Sequence, residues 1–500
     1  MKRSHEKLLF STVWTFTVAF LILLLYNDLI YIKILSYNLQ PEFNFNMEII
    51  NEIGFMEQHE NSDAKLVFNT GSKIESNPSA RHRSASIPDI ISTNIENLLT
   101  DLYKFSIYSP SYEKYMEYAP SHLLQTENPN LADIWNFTIL DEMPNWTKFH
   151  YQISKNHLYE DSTIIEGLLQ DMATQRIIAV EQHPGGTQLK FIIFFEDGGR
   201  ALFKPMRYPR DKAVPMRTLY LSDHERHVSE IAAFHLDRIL GFRRAPPVVG
   251  RRINIASELF PLIKNLDLIN TFYITAEGKY CFYGKCRMYC DKRYSFCGNP
   301  DIIEGSFAAY LPPAPYELLA QRLVQNPWKR TYIPGLKAEW EKNSNYCNDV
   351  VKNLKLFQST RRLYDVIDCA IFDFLIGNED RHDYDEFTVF GKDSSPTIIH
   401  LDNGRGFARS YHDEKSIIAP LTQCCQIRLS TFNKLYSFLI GPRSLSDLMR
   451  GSLYGDPVAP VLTEPHLHAL DRRVISLLQI IHRCIENYSS YMVFLNDIPV

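Results

Sequence analysis

The 500-residue sequence predicts an α+β body in two lobes, a β-rich one followed by a mainly helical one, with a cleft between them. Three observations predict it. A β-hairpin pattern spans Leu189 to Pro205, a helix with a marked start follows Ser222, and an apolar-striped helix over 363–375 runs into two loops that each carry an aspartate.

In the hairpin, the β-rich run from Lys190 to Glu196 meets the turn signal Asp197-Gly198-Gly199, and Arg200 to Lys204 returns. Gly185 and Gly186 precede it and Pro205 closes it. Ser222-Asp223-His224-Glu225 then has the Ser-x-x-Glu form of a capping box. Val228, Ile231, Ala232, His235 and Ile239 line one face of that helix and Gly241 supplies its stop. On this reading Glu225 is the capping glutamate and Glu230 a surface charge. Leu363, Val366, Ile367, Ala370, Ile371, Phe374 and Leu375 keep three-and-four spacing up to Gly377. Cys369 lies beside that stripe and reads as an inert buried thiol. The run 397–401 reads as a short strand that delivers Asp402 to its end.

Upstream, Leu8 to Tyr26 carry no charge. At about 1.5 Å per residue they span roughly 28 Å, close to the hydrocarbon thickness of a bilayer. Lys2, Arg3 and Lys7 precede the run, which keeps residues 1–7 cytoplasmic and sends the rest into the lumen. A cleavable signal peptide is the rival reading, but no small-x-small site follows. Residues 27–95 are polar and aperiodic and read as a flexible stem. Residues 96–150 read as a partly helical lead-in to the body. Asn136, Asn145 and Asn487 begin glycosylation sequons.

Composition narrows the function. Lys and Arg total 53 against 58 Asp and Glu, a formal charge of −5, which excludes a chain built to coat nucleic acid. Four of the nine cysteines, Cys281, Cys286, Cys290 and Cys297, crowd into 17 residues, and Cys347, Cys424, Cys425 and Cys484 follow. An oxidising lumen would pair them as disulfides, with one thiol left over. Zinc is the alternative for the crowded four, although their spacing lacks paired C-x2-C knuckles.

Two segments point to chemistry. In Gly377-Asn378-Glu379-Asp380-Arg381-His382, a loop aspartate anchored by a rigid helix can accept a hydroxyl proton, with Asn378 and Arg381 to orient it. In Asp402-Asn403-Gly404-Arg405-Gly406-Phe407, a carboxylate beside glycines suits a hard divalent cation. Together they look like a phosphotransferase, one aspartate for the acceptor hydroxyl and one for the metal on nucleotide phosphates. Lys190 and Lys204 sit on the hairpin, where a phosphate-holding lysine is needed.

With these segments in view, residues 130–490 resemble the secretory-pathway kinase family that includes the Golgi casein kinase and the glycosaminoglycan xylosylkinase. The matching text runs over Gly185–Lys190, Ala201–Met206, Glu230–Arg238, Cys281–Cys286, Ile376–His382 and Gln423–Arg428. The resemblance implies an atypical protein-kinase-like fold with an N-lobe over 151–311, a cysteine-rich insert within it, and a C-lobe over 312–500. It implies Asp380 as catalytic, and Glu225 and Asp402 as ligands of Mn²⁺ or Mg²⁺. It implies Gln188, Lys190, Lys204, Ala308, Ala309, Tyr310, Leu311, Asp385 and Asp402 as ATP-binding. The implied disulfides are Cys281–Cys297, Cys286–Cys290, Cys347–Cys424 and Cys425–Cys484, leaving Cys369 free.

Within the family, Asp402-Asn-Gly-Arg-Gly-Phe407 and Asp456-Pro-Val-Ala-Pro-Val461 are similar to the protein-kinase branch. That branch phosphorylates Ser-x-Glu sites of secreted and lumenal proteins with ATP. The alternatives are a xylosylkinase acting on the proteoglycan linker and a pseudokinase that activates a catalytic relative. The latter lost a metal-side glutamate that is present here as Glu225. Two departures stand out: His382-Asp383-Tyr384-Asp385 replaces His-His-Tyr-Glu, shortening the reach of the last carboxylate, and Ala408 replaces a glycine. The implied partners are protein substrates and a second copy or a pseudokinase relative, with membrane contact through the anchor only. The implied location is the Golgi lumen as a type II single-pass protein, or secreted after cleavage in the stem.

Overall fold

The computed structural model describes residues 87–106, 109, 128–160, 162–215, 223–312, 321–333, 335–358, 360–387 and 397–497. The chain divides into two units, and every described residue falls in the one from Glu48 to Val500. The expected anchor at 8–26 and the stem as far as residue 86 lie outside the described residues. Among those described, no helix is long and apolar enough to cross a membrane.

Helix α1 (Ile87–Tyr103) begins inside the stretch expected as stem. Ile95, Leu98, Leu99 and Leu102 recur at helical spacing and are buried, and the Tyr436 hydroxyl donates to the Leu99 carbonyl at 3.0 Å. The stripe is carried by isolated apolar residues in a polar context, so composition hides it. Helices α2 (Leu131–Trp135), α3 (Asn145–Gln152) and α4 (Ser162–Thr174) lead to the main sheet.

That sheet contains β1 (Ile177–Gln182), β2 (Phe191–Phe195), β3 (Arg200–Pro205), β4 (Val248–Asn254) and β8 (Ile302–Ala309), in the antiparallel order β1-β2-β3-β8-β4. The expected hairpin is β2–β3. Phe191, Ile192, Ile193 and Phe195 are buried, so β2 reads as a continuous apolar run rather than an alternation. Phe203 joins it to the sheet centre, with ring centroids 6.2 Å from Phe191 and 4.8 Å from Phe307. The cysteine-rich insert between β4 and β8 forms a small sheet of β5 (Tyr273–Ile274), β6 (Tyr280–Phe282) and β7 (Phe296–Cys297).

Helix α5 (His227–Leu240) packs against β4 and β8 and ends on Gly241 at φ 81°. It starts four residues later than the capping-box reading requires, behind Arg226 and without a side-chain cap. Tertiary ties decide this. The Arg226 N–H donates to the Gly404 carbonyl at 2.7 Å and its guanidinium to the Lys212 carbonyl at 2.5 Å, which holds the approach extended. Glu225 therefore lies in a loop, free of capping duty.

The helical part is centred on α6 (Thr360–Ile376), which ends at Gly377 with φ 70° as its spacing predicts. Three buried aspartates interrupt its apolar faces, each compensated. Asp365 is 3.1 Å from Arg244 and 2.7 Å from Arg428, Asp368 accepts from Thr431 at 2.8 Å, and Asp373 is 2.9 Å from Arg381. A second sheet, β9 (Gln321–Gln325), β10 (Asp383–Phe387) and β11 (Ile398–Ile399), flanks the loop after α6. The strand expected over 397–401 shrinks to Ile398–Ile399, because only Ile398 and Ile399 find partners on β10. Helix α7 (Glu464–Asn487) closes the back. Its Arg473 donates to the carbonyls of Leu375, Arg409 and His412, each at 2.9 Å, tying the end of α6 to the chain that follows Asp402.

The structure carries Cys281–Cys297, Cys286–Cys290, Cys347–Cys424 and Cys425–Cys484, the four pairs that the family resemblance implies, and Cys369 is free and buried. Pairing leaves no thiolates for zinc in the crowded insert. The Cys347–Cys424 bridge spans 77 positions. Replacing both with alanine is expected to cost about 4 kcal/mol by loop-closure entropy, readable as a lowered denaturant midpoint.

Candidate active site

Lys204 on β3 is the hub. Its Nζ lies 2.5 Å from Glu230 Oε1, 2.7 Å from Asp402 Oδ1 and 3.7 Å from Glu225 Oε2. The three carboxylates reach the strand-borne hub from three directions: the buried face of α5, the loop in front of α5, and the left-handed Asp402 at φ 55° beyond β11. Glu230 is 7% exposed, so the surface reading of that residue is overturned. Its second oxygen accepts from the Asn403 N–H at 3.2 Å, which fastens the Asp402 loop to α5. Gly404 permits the approach, since a Cβ there would stand 3.3 Å from Glu230 Oε1 and 3.4 Å from Glu225 Oε2.

Electrostatics follow from that geometry. Burial works against the Lys204 ammonium, but Asp402, Glu230 and Glu225 outweigh it and hold its pKa well above the ordinary value. Lys204 in turn holds the Asp402 carboxyl far below the usual carboxylate range. Burial wins at Glu225, whose pKa is raised although Lys204 opposes the shift. Three carboxylates face one ammonium, so the cluster carries an excess of negative charge that a divalent cation neutralises. Among the described residues no three His, Cys, Asp or Glu side chains are arranged to hold a metal alone. A metal that arrives with a nucleotide needs only one or two carboxylates, the phosphates supplying the rest. The donor set fits Mn²⁺ or Mg²⁺ on those terms.

The residues expected to bind nucleotide are spread over the main sheet, its approach and β10. Gln188 is 5% exposed and its Nε2 is buried without a hydrogen-bond partner, a donor that an anionic oxygen would satisfy. Lys190, just before β2, acts electrostatically on both Glu225 and Asp402. Ala308 pairs with Leu202 and Val248, Ala309 donates to the Pro247 carbonyl at 2.8 Å, and the Tyr310 N–H to the Arg200 carbonyl at 3.0 Å. Leu311 follows, half-buried. The Tyr310 carbonyl also accepts from His150 at 2.8 Å, a histidine that burial pushes down to about 4 and so keeps neutral. Asp385 sits at the middle of β10, paired with Leu323 and Ile399.

Asp380 stands in the turn after α6. Its N–H donates to Asn378 Oδ1 at 3.1 Å, a contact that fixes the backbone of the turn and not the carboxylate. Arg381 does something else. It donates to both oxygens of Asp373 at 2.9 Å, to Asn403 Oδ1 at 2.8 Å and to the Leu401 carbonyl, so it ties the Asp380 loop to the Asp402 loop rather than orienting Asp380. The Asp380 carboxylate is held instead by Arg405 Nε, 2.9 Å from Oδ2, and by the Tyr332 hydroxyl, 2.9 Å from Oδ1. His382 lies 3.6 Å from the same carboxylate, which raises its pKa. Glu230, Arg405 and Tyr332 are the residues that sequence reasoning did not assign. Only Glu230 left a signal, as a lone charge inside the apolar run from Val228 to Phe234.

Of the sequon asparagines, Asn136 and Asn487 are exposed. Asn145 is half-buried at the start of α3, its Nδ2 donates to Asp171 at 2.8 Å, and a Cβ on Gly167 would lie 2.7 Å from it. The Asn145 side chain thus bridges α3 and α4 instead of standing free on the surface.

A family pattern described as Golgi casein kinase, C-terminal, Fam20 matches residues 144–493. The chain is 46% identical over 392 residues to the Drosophila melanogaster extracellular serine/threonine protein CG31145, covering 78% of this chain and 71% of that one. It is 48% identical over 360 residues to the Homo sapiens extracellular serine/threonine protein kinase FAM20C, covering 72% of this chain and 61% of that protein. It is also 43% identical over 398 residues to the Homo sapiens pseudokinase FAM20A, covering 76% and 72%. A crystal structure of the Golgi casein kinase with Mn/ADP bound superposes at a TM-score of 0.74 with 36% identity, covering 86% of this chain and 97% of that chain.

Proposed function

This chain belongs to the Fam20 family, and we propose that it is a catalytically active secretory-pathway kinase that transfers the γ-phosphoryl group of ATP to serine in Ser-x-Glu sequences of secreted proteins. The observation that carries the reading is the convergence of Glu225, Glu230 and Asp402 on Lys204. Crowding three carboxylates on one ammonium works against folding unless a cation joins them, which suits a metal–nucleotide site better than a structural ion pair.

In the proposed reaction the acceptor Oγ attacks the γ-phosphorus, the Oγ–P bond forms, and the bond from phosphorus to the β–γ bridging oxygen breaks to leave ADP. Asp380 orients the acceptor and takes its proton. Glu225 and Asp402 would hold Mn²⁺ or Mg²⁺, which supplies charge neutralisation at the phosphates. Lys204 and Lys190 balance negative charge on the phosphate side, and Gln188 offers its free N–H there. Glu230 keeps Lys204 aimed at the site. Residues 8–26 would anchor the chain in the Golgi membrane with this body in the lumen.

The test offers labelled ATP and Mn²⁺ to the full chain with a Ser-x-Glu peptide and a xylosyl-galactose acceptor in parallel. Label in the peptide is the expected result. Label confined to the sugar would move the enzyme to the proteoglycan linker, and label in neither would place it beside the pseudokinase.

A further inference from the structure

We propose that Tyr332 is a positioning residue of the acceptor site, holding the Asp380 carboxylate in the orientation that receives the acceptor proton. The inference rests on the phosphotransferase reading above and assigns a residue to its acceptor side.

Each oxygen of Asp380 has its own donor. Arg405 Nε is 2.9 Å from Oδ2, and the Tyr332 hydroxyl donates to Oδ1 at 2.9 Å. A carboxylate oxygen has two lone-pair sites; the phenol takes one on Oδ1, and with His382 Nδ1 no nearer than 3.6 Å to that oxygen the other is left for an incoming hydroxyl. Being neutral, it orients the carboxylate without adding to the positive charge that Arg405 and the neighbouring His382 already bring to it.

The backbone shows what this placement demands. Tyr332 has φ 60°, a left-handed conformation that is an outlier for a bulky side chain and persists only where the surroundings over-determine it. The surroundings do so. At one end, Asn326 Nδ2 donates to the Arg381 carbonyl at 2.6 Å and the Asn326 N–H to the His382 carbonyl at 3.0 Å, both on the loop that carries Asp380. Trp328 Nε1 donates to Gln423 at 2.8 Å and Trp340 Nε1 to the Lys329 carbonyl at 2.8 Å. Just before the tyrosine, Thr331 Oγ1 closes the turn around it by donating to the Leu336 carbonyl at 2.7 Å. The segment is thus pinned to the catalytic loop on one side and to its own turn on the other. The ring of Tyr332 meets the His382 ring edge-on at 5.7 Å, which fixes its remaining freedom.

The experiment is Tyr332→Phe in the full chain, which keeps the ring and removes only the hydroxyl. At saturating ATP and Mn²⁺, kcat is expected to fall roughly tenfold to a hundredfold, the worth of one hydrogen bond to a charged group. KM for ATP, KM for the peptide and the melting temperature should stay within experimental scatter. An unchanged kcat overturns the proposal. So does a lower peptide KM with higher kcat/KM, which would make the phenol an obstacle that the acceptor displaces. A loss of melting temperature that accounts for the lost activity would make it a structural tyrosine and also overturns it. Failure of the kinase reading looks different, because the unmodified chain would then transfer no phosphate at all.

Discussion

Asp402→Ala is expected to lower kcat by about 10²–10³-fold, the range seen when one preorganised electrostatic group is removed, while leaving the folded chain as stable as before. The two halves have different causes. Asp402 is the exposed member of the cluster, its side chain 60% accessible, so its pairing with Lys204 contributes little to folding. Its removal also relieves repulsion among three carboxylates that share one ammonium. On the proposed reading the metal-side carboxylate is lost all the same. Phosphorylation of the Ser-x-Glu peptide reads the first half, and a denaturant melt reads the second. The melt should also lose the rise in midpoint that, on the proposed reading, Mn²⁺ with ADP would produce in the unaltered chain. A variant that unfolded instead would mean that Asp402 serves the fold.

Lys204→Met is expected to lower kcat as far, with the opposite consequence for stability. The Lys204 side chain is 11% exposed, and it faces Glu230 at 9% and Glu225 at 17%. Removing one partner of a buried ion pair leaves the other charge uncompensated, at a cost of about 3–5 kcal/mol. The pH dependence has a definite sign. Burial raises the Glu225 pKa even with Lys204 present, so the folded chain holds that proton more tightly than the unfolded chain does. A raised carboxyl pKa costs stability above the unfolded value and costs nothing once both states are protonated. Loss of Lys204 enlarges the shift. The variant's deficit should therefore be full at neutral pH and shrink as pH falls through the raised Glu225 value toward the ordinary carboxylate range. Denaturant midpoints at several pH values check this, and a deficit independent of pH would mean that lost packing, rather than uncompensated charge, is responsible.

The contrast between these two substitutions reflects how the site divides between sequence and fold. Asp380 and Asp402 were legible because each lies where local signals converge: a stripe ending at Gly377 for one, a short apolar run before Asn-Gly for the other. Lys204 was legible as one of two hairpin lysines. Glu225 was ambiguous, since Ser222-x-x-Glu225 is a valid capping box on paper, and only the Arg226–Gly404 tie shows that the helix starts later. Arg381 was assigned to Asp380 because the two are neighbours in sequence, whereas its guanidinium turns toward Asp373 and Asn403. Tyr332 reaches Asp380 across 48 positions from a segment without helical or strand periodicity, so no pattern announces it.

The sequence by itself determined the hairpin, the long helix over 360–376 with its glycine stop, and the chemical identity of the two loop aspartates. These depend on residues within a few positions of one another, where period, turn residues and caps act directly on the backbone. Only the tertiary structure decided which charges meet. Lys204 and Asp402 are 198 positions apart and Lys204 and Glu230 are 26 apart. A glutamate on a helix reads the same in sequence whether it faces water or a buried ammonium. The choice is made when the sheet, α5 and the loop beyond β11 pack together, because Coulomb interaction and desolvation depend on distance in space and not on separation along the chain.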